Sequence, residues 1–338
     1  MFSSLEQLRT MIAIVAVVAA FSPTGASAEE EVLPSVDERI YTATDVQELL
    51  NERDALAVRL ATASKTTVVE PTGYQSSEDC SSLQCYTSQV LPSGLLYRSY
   101  IAAPHEPRLG TSALYDNTAK SWRWDSTLGG RVGLYRRNNP TNLNLDAWQV
   151  DLEGAVMVRL DPQEKMDVES ADFRFGLLFT GKKDNFTFKT GYFHISSHVG
   201  DEYLIKNPTF ERINYVKESL IFGTAFQATP ECRVYGEVAW GLIATGGAEP
   251  WQFQFGSEYA RIAASPARGA PFAAINIQMR QEVGFAAGLN LMTGWQWKGP
   301  ESARTFRTGV TYFNGPSNQY QFYQRYDSQF GLGVWYDF

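Results

Sequence analysis

Cysteine and histidine are scarce in this 338-residue chain, with three of each. The cysteines have no neighbouring histidine, so they form no zinc-type ligand set. Long apolar runs are missing too. After residue 28 no stretch approaches the roughly 18 apolar residues of a spanning helix, which excludes a helical membrane protein. Positive charge is in deficit, with a formal net charge of -8, and this argues against a nucleic-acid partner. No phosphate-binding loop, metalloprotease motif or dinucleotide fingerprint occurs, so the sequence names no cofactor. What is present is 44% hydrophobic and 13% aromatic content with a slightly negative mean hydropathy. A β-barrel that hides its apolar band as every second residue has this combination.

The end of the chain displays that period most clearly. Phe330, Leu332, Val334, Tyr336 and Phe338 alternate with Gln329, Gly331, Gly333, Trp335 and Asp337. Successive side chains of a strand point to opposite faces, so one face is apolar and the other is mostly small or polar. The terminal aromatic carboxylate resembles the insertion signal of bacterial outer-membrane barrels. About twelve such segments follow one another: 94–103, 121–136, 146–160, 168–181, 184–197, 212–227, 231–244, 250–263, 271–280, 283–297, 303–314 and 328–338. The expected fold is all-β, an antiparallel transmembrane barrel of about twelve strands over residues 91–338.

The connections supply an independent check, because such barrels have short periplasmic turns and longer outer loops. The three longest connections, 104–120, 198–211 and 315–327, are all odd-numbered. Tight turns at Lys182-Lys183-Asp184 and Thr229-Pro230-Glu231 are even-numbered. Trp122, Trp124, Trp240, Trp251, Trp295, Trp297 and Trp335 fall mostly near strand ends, which suits interfacial aromatic girdles. Asp151, Glu153, Arg159, Asp172, Arg174, Arg233, Glu237 and Arg307 are assigned to the interior, where charges of both signs are expected to occlude the lumen.

The first residues read as an export signal, 1–28. Arg9 precedes the apolar run from Met11 to Phe21, and Ala26-Ser27-Ala28 offers a cleavage site after Ala28. Export places Cys80 and Cys85 in an oxidising compartment where they can pair, with Cys232 left over as a buried or interfacial residue. Residues 29–90 are expected to form a periplasmic helix and linker. Val46, Leu49, Arg53, Leu56 and Leu60 share one helical face, which either folds against the barrel mouth or self-associates through residues 44–62. The expected location is the cell outer membrane, with its lipids and the barrel-insertion machinery as partners.

One constellation could carry chemistry. Gly191-Tyr192-Phe193-His194-Ile195-Ser196-Ser197-His198 closes the fifth segment. His194 and Ser196 project from the same apolar face as Phe186, Phe188 and Tyr192, and a hairpin brings Asn214 roughly opposite Ser196. A serine, a histidine to take its proton and an amide or carboxylate to orient the imidazole are the parts of a nucleophilic hydrolase. The pattern resembles the outer-membrane phospholipase A family, also twelve-stranded, with its His-x-Ser-Asn and downstream Asn. It is similar too to the lipid A deacylase barrels, with His-x-Ser and a Glu. The resemblance implies His194 as base, Ser196 as nucleophile and Asn214 as orienter, with Glu202, Glu211 and Glu218 as acidic alternatives. Ser197 departs from both families, which have Asn there. Another reading makes His194 and His198 ordinary polar residues of the rim, and a third uses His198, Asp201 and Glu202 as cation ligands.

Over a longer stretch, Leu95 to Tyr100 with His105-Glu106-Pro107-Arg108, then Leu128 to Gly133 and His194 to Glu202, resemble the family called domain of unknown function 1207. That resemblance implies an outer-membrane-type barrel and no activity. His105, Glu106 and Arg108 are expected in the first outer loop, as a salt-bridged clasp. Three functions remain open: a lipid acyl-ester hydrolase, a passive channel or uptake barrel, and a structural envelope protein.

Overall fold

The computed structural model describes residues 87–138, 147–300, 302 and 304–338. The expected signal peptide, the helix over 44–62 and the Cys80–Cys85 pair lie outside the described residues. Thirteen strands form one antiparallel sheet: β1 (Thr87–Val90), β2 (Leu109–Asp116), β3 (Ser121–Asn138), β4 (Ala147–Asp161), β5 (Asp167–Lys183), β6 (Phe186–Val199), β7 (Val216–Gln227), β8 (Cys232–Thr245), β9 (Trp251–Ala260), β10 (Ala270–Arg280), β11 (Ala287–Lys298), β12 (Thr305–Pro316) and β13 (Tyr326–Asp337). Each strand from β2 pairs with its successor, and β13 returns to β2. Twelve strands thus close into a barrel, and the short β1 lies along the far end of β3. Closure leaves no edge between these twelve strands.

Which residues face inward follows from the dyad period, and the usual soluble arrangement is reversed. Phe175, Leu177, Phe179, Leu220, Phe222, Phe330 and Leu332 stand exposed on the outer wall. The eight charged residues assigned to the interior are all buried. Buried charge is tolerable only when paired. Arg159 meets Asp125 at 2.7 Å and Asp327 at 3.0 Å. Lys189 reaches Glu237 at 2.6 Å, Arg174 reaches Glu153 at 2.7 Å, and Arg233 reaches Glu258 at 2.8 Å.

Residues 91–108 correct the expected first strand. Instead of a strand over 94–103, the chain runs through the lumen as a plug before β2 begins at Leu109. Tyr97 and Tyr100 to Ala103 are buried, whereas Leu91, Ser93 and Arg98 remain exposed, so the segment is enclosed from Tyr100 onward. Wall arginines grip its backbone carbonyls: Arg136 donates to Gly94 O at 2.8 Å, and Arg233 to Arg98 O and Ser99 O, both at 2.9 Å. Arg131 donates to Tyr97 O. His105, Glu106 and Arg108 are therefore inside the barrel and not in an outer loop. The true first strand was masked by Gly110, Ser112 and Ala113, whose small side chains give little alternation. The first connection shrinks to 117–120. Trp335 is a second correction, since its indole is buried in the interior beside Phe272 and Met292.

A second insertion comes from 317–325, between β12 and β13, where Tyr320 and Phe322 are buried. The connection from β6 to β7, 200–215, carries the helix α1 (Asp201–Lys206). It is at the same end of the barrel as 317–325.

Candidate functional site

The outer wall over β5, β6 and β7 presents the sequence-derived candidates. His194 and Ser196 point outward from β6, as the period requires, and both are half-buried. On β5, Phe175 is in register with His194 and Phe173 with Ser196. On β7, Glu218 is in register with His194 and Val216 with Ser196. His194 Nδ1 lies 2.7 Å from Glu218 Oε1. The second oxygen of that carboxylate accepts the Tyr192 hydroxyl. An imidazole held through Nδ1 by a carboxylate keeps Nε2 free, the arrangement a general base requires.

Asn214 is not the orienter. It belongs to the connection ahead of β7, it is exposed, and its Oδ1 accepts a hydrogen bond from Arg212 at 3.0 Å. The register explains why: Ser196 is opposite Val216, which leaves Asn214 beyond the last rung shared by β6 and β7. Glu218, one of the acidic alternatives, is the residue in contact with His194. Among the described residues no hydrogen bond joins Ser196 to His194, and no group of three His, Cys, Asp or Glu is gathered as a metal site. His198, Asp201 and Glu202 thus form no ligand set. His198 packs edge-on against Phe173, with ring centroids 5.6 Å apart.

Two backbone irregularities shape this part of the wall. Gly191, at φ +153°, leans so close to β5 that a Cβ would lie 2.3 Å from Leu177 O, so only glycine fits. The β7–β8 pairing shifts register between Glu218 and Ser219. The shift leaves both Leu242 and Ile243 on the surface, at 52% and 56% exposure. Bulges of this kind re-aim side chains next to functional sites. The polar trio of Tyr192, His194 and Glu218 is therefore bordered by Phe175, Leu220 and Ile243.

A further cluster, which the sequence reading did not assemble, lies directly behind β6. Ser197 points inward and donates its hydroxyl to Asp172 Oδ1. Asp172 Oδ2 accepts from Tyr320 N at 3.2 Å and faces His105 Nε2 at 3.3 Å. The order of groups matters. The carboxylate sits between serine and histidine, so no histidine is placed to deprotonate Ser197, and the cluster acts as a tie. Its residues come from the plug, the wall and the 317–325 insertion, a convergence that no local spacing could announce. Nearby, a lumenal cavity of about 110 Å³ is lined by Ala102, His105, Arg108, Asn290, Gln319 and Gln329.

Comparisons with known proteins add the following. A family model described as "Protein of unknown function (DUF1207)" matches residues 56–338. No curated protein matches the sequence. Among solved structures, outer membrane phospholipase A from Escherichia coli is similar at 10% identity and a TM-score of 0.43, over 69% of this chain and 92% of that one. The outer membrane phospholipase of Salmonella typhi, a dimer with bound calcium, is similar at 10% identity and a TM-score of 0.42, again over 69% and 92%. No residue role follows from likenesses of this size.

Proposed function

The chain belongs to the DUF1207 family, a membership that assigns no chemistry, and from the geometry we propose that it is an outer-membrane barrel that hydrolyses acyl esters of membrane lipids at its outer wall. The single observation that carries this reading is the 2.7 Å contact between His194 Nδ1 and Glu218 Oε1, made on a wall whose outward side chains are mostly apolar. Charged groups on the lipid side of a barrel cost roughly 2–4 kcal/mol for Lys or Arg at the midplane, falling to about 0–1 kcal/mol near the interfaces, and less for carboxylates. A fold gains nothing from putting a carboxylate, an imidazole and a hydroxyl together there. On β6 and β7 the exposed apolar residues Phe186, Phe188, Leu220 and Phe222 lie to one side of the trio, and Asn214 and Arg212 to the other. This is the boundary at which the ester groups of a lipid reside.

In this reading the bilayer covers the apolar wall, the segment 1–28 directs export with cleavage after Ala28, and the insertion machinery receives the C-terminal strand. Ser196 Oγ attacks the ester carbonyl while His194 Nε2 accepts its proton. Glu218 stabilises the imidazolium through Nδ1–H. The tetrahedral adduct collapses, and His194 returns the proton to the departing alcohol. Water, deprotonated in turn by His194, then releases the fatty acid from Ser196. The serine has to swing into hydrogen-bond range of Nε2, about 2.6–3.2 Å, when substrate binds.

Ser196→Ala tests the reading directly. Purified in detergent and offered a micellar phospholipid or acylated glycolipid, the variant is expected to lose at least about 10³-fold in kcat. Full hydrolysis by that variant eliminates the site. A passive channel is the weaker reading, because Tyr97, Tyr100, Lys189, Arg233 and Glu237 fill the middle of the lumen.

A further inference from the structure

Ser196 occupies an exposed position in the ladder. The strand pairing of β6 with β7 ends at Ser196 opposite Val216; one further backbone bond reaches Tyr215, and β5 continues alongside β6 as far as Val199. A nucleophile at a last rung needs some other constraint, since catalytic groups must hold their place within about 0.5 Å. The constraint comes from behind the wall. Ser197, the next residue, necessarily points into the lumen, and its hydroxyl is bound by Asp172. Its amide donates to Tyr215 O at 3.0 Å.

Asp172 is itself immobilised. It is fully buried and in register with Ser197. Its second oxygen holds Tyr320 N at 3.2 Å and meets His105 Nε2 at 3.3 Å. The His105 ring stacks on Tyr320 at 4.4 Å, and Tyr320 stacks on Tyr215 at 4.8 Å. Ser170, two residues before Asp172, donates to Gln319 Oε1 at 2.8 Å. Plug, wall, inserted loop and the entry into β7 thus converge on the two bonds that Ser197 makes.

We propose that Asp172, acting through Ser197, is a positioning residue for Ser196: the tie inside the barrel fixes the orientation of the nucleophile outside it. This rests on the hydrolase reading given above. Neither Asp172 nor Ser197 touches substrate, because both are sealed behind the sheet. Their effect passes through one peptide unit. If Ser197 is released, the backbone at 196–197 rotates and the outward hydroxyl of Ser196 leaves the path to His194 Nε2.

The test uses the full-length protein in detergent, comparing wild type, Ser196→Ala, Ser197→Ala and Ser197→Thr. Ser197→Ala is expected to lower kcat roughly 10- to 100-fold with KM unchanged and to speed amide hydrogen exchange over 194–198. Ser197→Thr, which restores a hydroxyl, is expected to recover kcat. A purely structural role would shift the thermal midpoint and leave the split between kcat and KM untouched. An active wild type with Ser197→Ala at full kcat overturns the proposal alone, as does unaltered exchange over 194–198. A wild type no more active than Ser196→Ala overturns the reading of the site, and this proposal with it.

Discussion

Under the proposed hydrolase reading, Glu218 is where structural and catalytic demands on the wall oppose each other most openly. A half-buried carboxylate facing outward among Phe175, Leu220 and Ile243 gives the fold nothing that an alanine or leucine would not give. What it does is grip His194 Nδ1 at 2.7 Å and accept the Tyr192 hydroxyl. Glu218→Gln keeps the shape and an acceptor oxygen but removes the charge that stabilises an imidazolium, and its amide can force the wrong histidine tautomer. The expected result is a fall in kcat of about 10²-fold or more, with a thermal midpoint equal to or above that of the wild type. Acyl-ester hydrolysis and thermal unfolding in detergent, measured on the same preparation, check both halves. A large loss of stability with kcat preserved would make the pair structural.

Residues 94–103 carry the spacing of a wall strand and 104–120 the length of an outer loop, yet 91–108 forms a plug and β2 begins at Leu109, and the reason is physical. The plug's Leu96, Arg98 and Tyr100 alternate with Leu95, Tyr97 and Ser99 in a way that mimics a wall strand, yet Tyr97 and Tyr100, on opposite sides of that alternation, are both buried, because a segment inside the lumen obeys no two-face rule. By contrast β13 is legible to within two residues, because an exposed apolar face and a lumenal face run along its whole length. The same logic governed the site. His194 and Ser196 were readable as one face of β6 from their spacing alone, whereas the choice of Glu218 over Asn214 depends on hairpin register, set by the helix-bearing connection 200–215. Asp172, Ser197 and His105 come together only through closure of the barrel. The plug also makes a pH prediction. Burial lowers the His105 pKa below the ordinary 6.5, against the opposing hydrogen bond from Asp172. The folded state then holds fewer protons than the unfolded chain, so stability declines as pH falls through about 6.5 toward the depressed folded value. Thermal midpoints taken between pH 7.5 and 5 are expected to drop for the wild type and to drop less for His105→Gln. Equal slopes in the two proteins would remove His105 as the cause.

A closed ring of twelve strands leaves a bore that side chains alone do not have to fill, and here the chain fills it with its own backbone. The grip on that backbone is electrostatic: Arg131, Arg136 and Arg233 donate to carbonyls of residues 94, 97, 98 and 99, and Ile101 N donates to Glu258 Oε1 at 2.7 Å. Charge-assisted bonds of this kind are about twice as strong as neutral ones, and several of them are shielded from water, so thermal opening of the plug is rare. The intact protein reconstituted in a planar bilayer is therefore expected to show no steady conductance. Removing the plug does not strip the wall arginines of every partner, because Arg233 keeps Glu258 and Arg131 keeps Asp151 and Glu153. A variant lacking residues 94–104 is accordingly expected to retain a heat-resistant barrel in detergent and to conduct ions through a lumen lined by those charges. Conductance in the intact protein would mean that the grip is loose and that the passive-channel reading has to be reinstated. A folded deletion variant that stays silent would instead place the barrier in the 317–325 insertion, where Tyr320 and Phe322 close the bore near the other end.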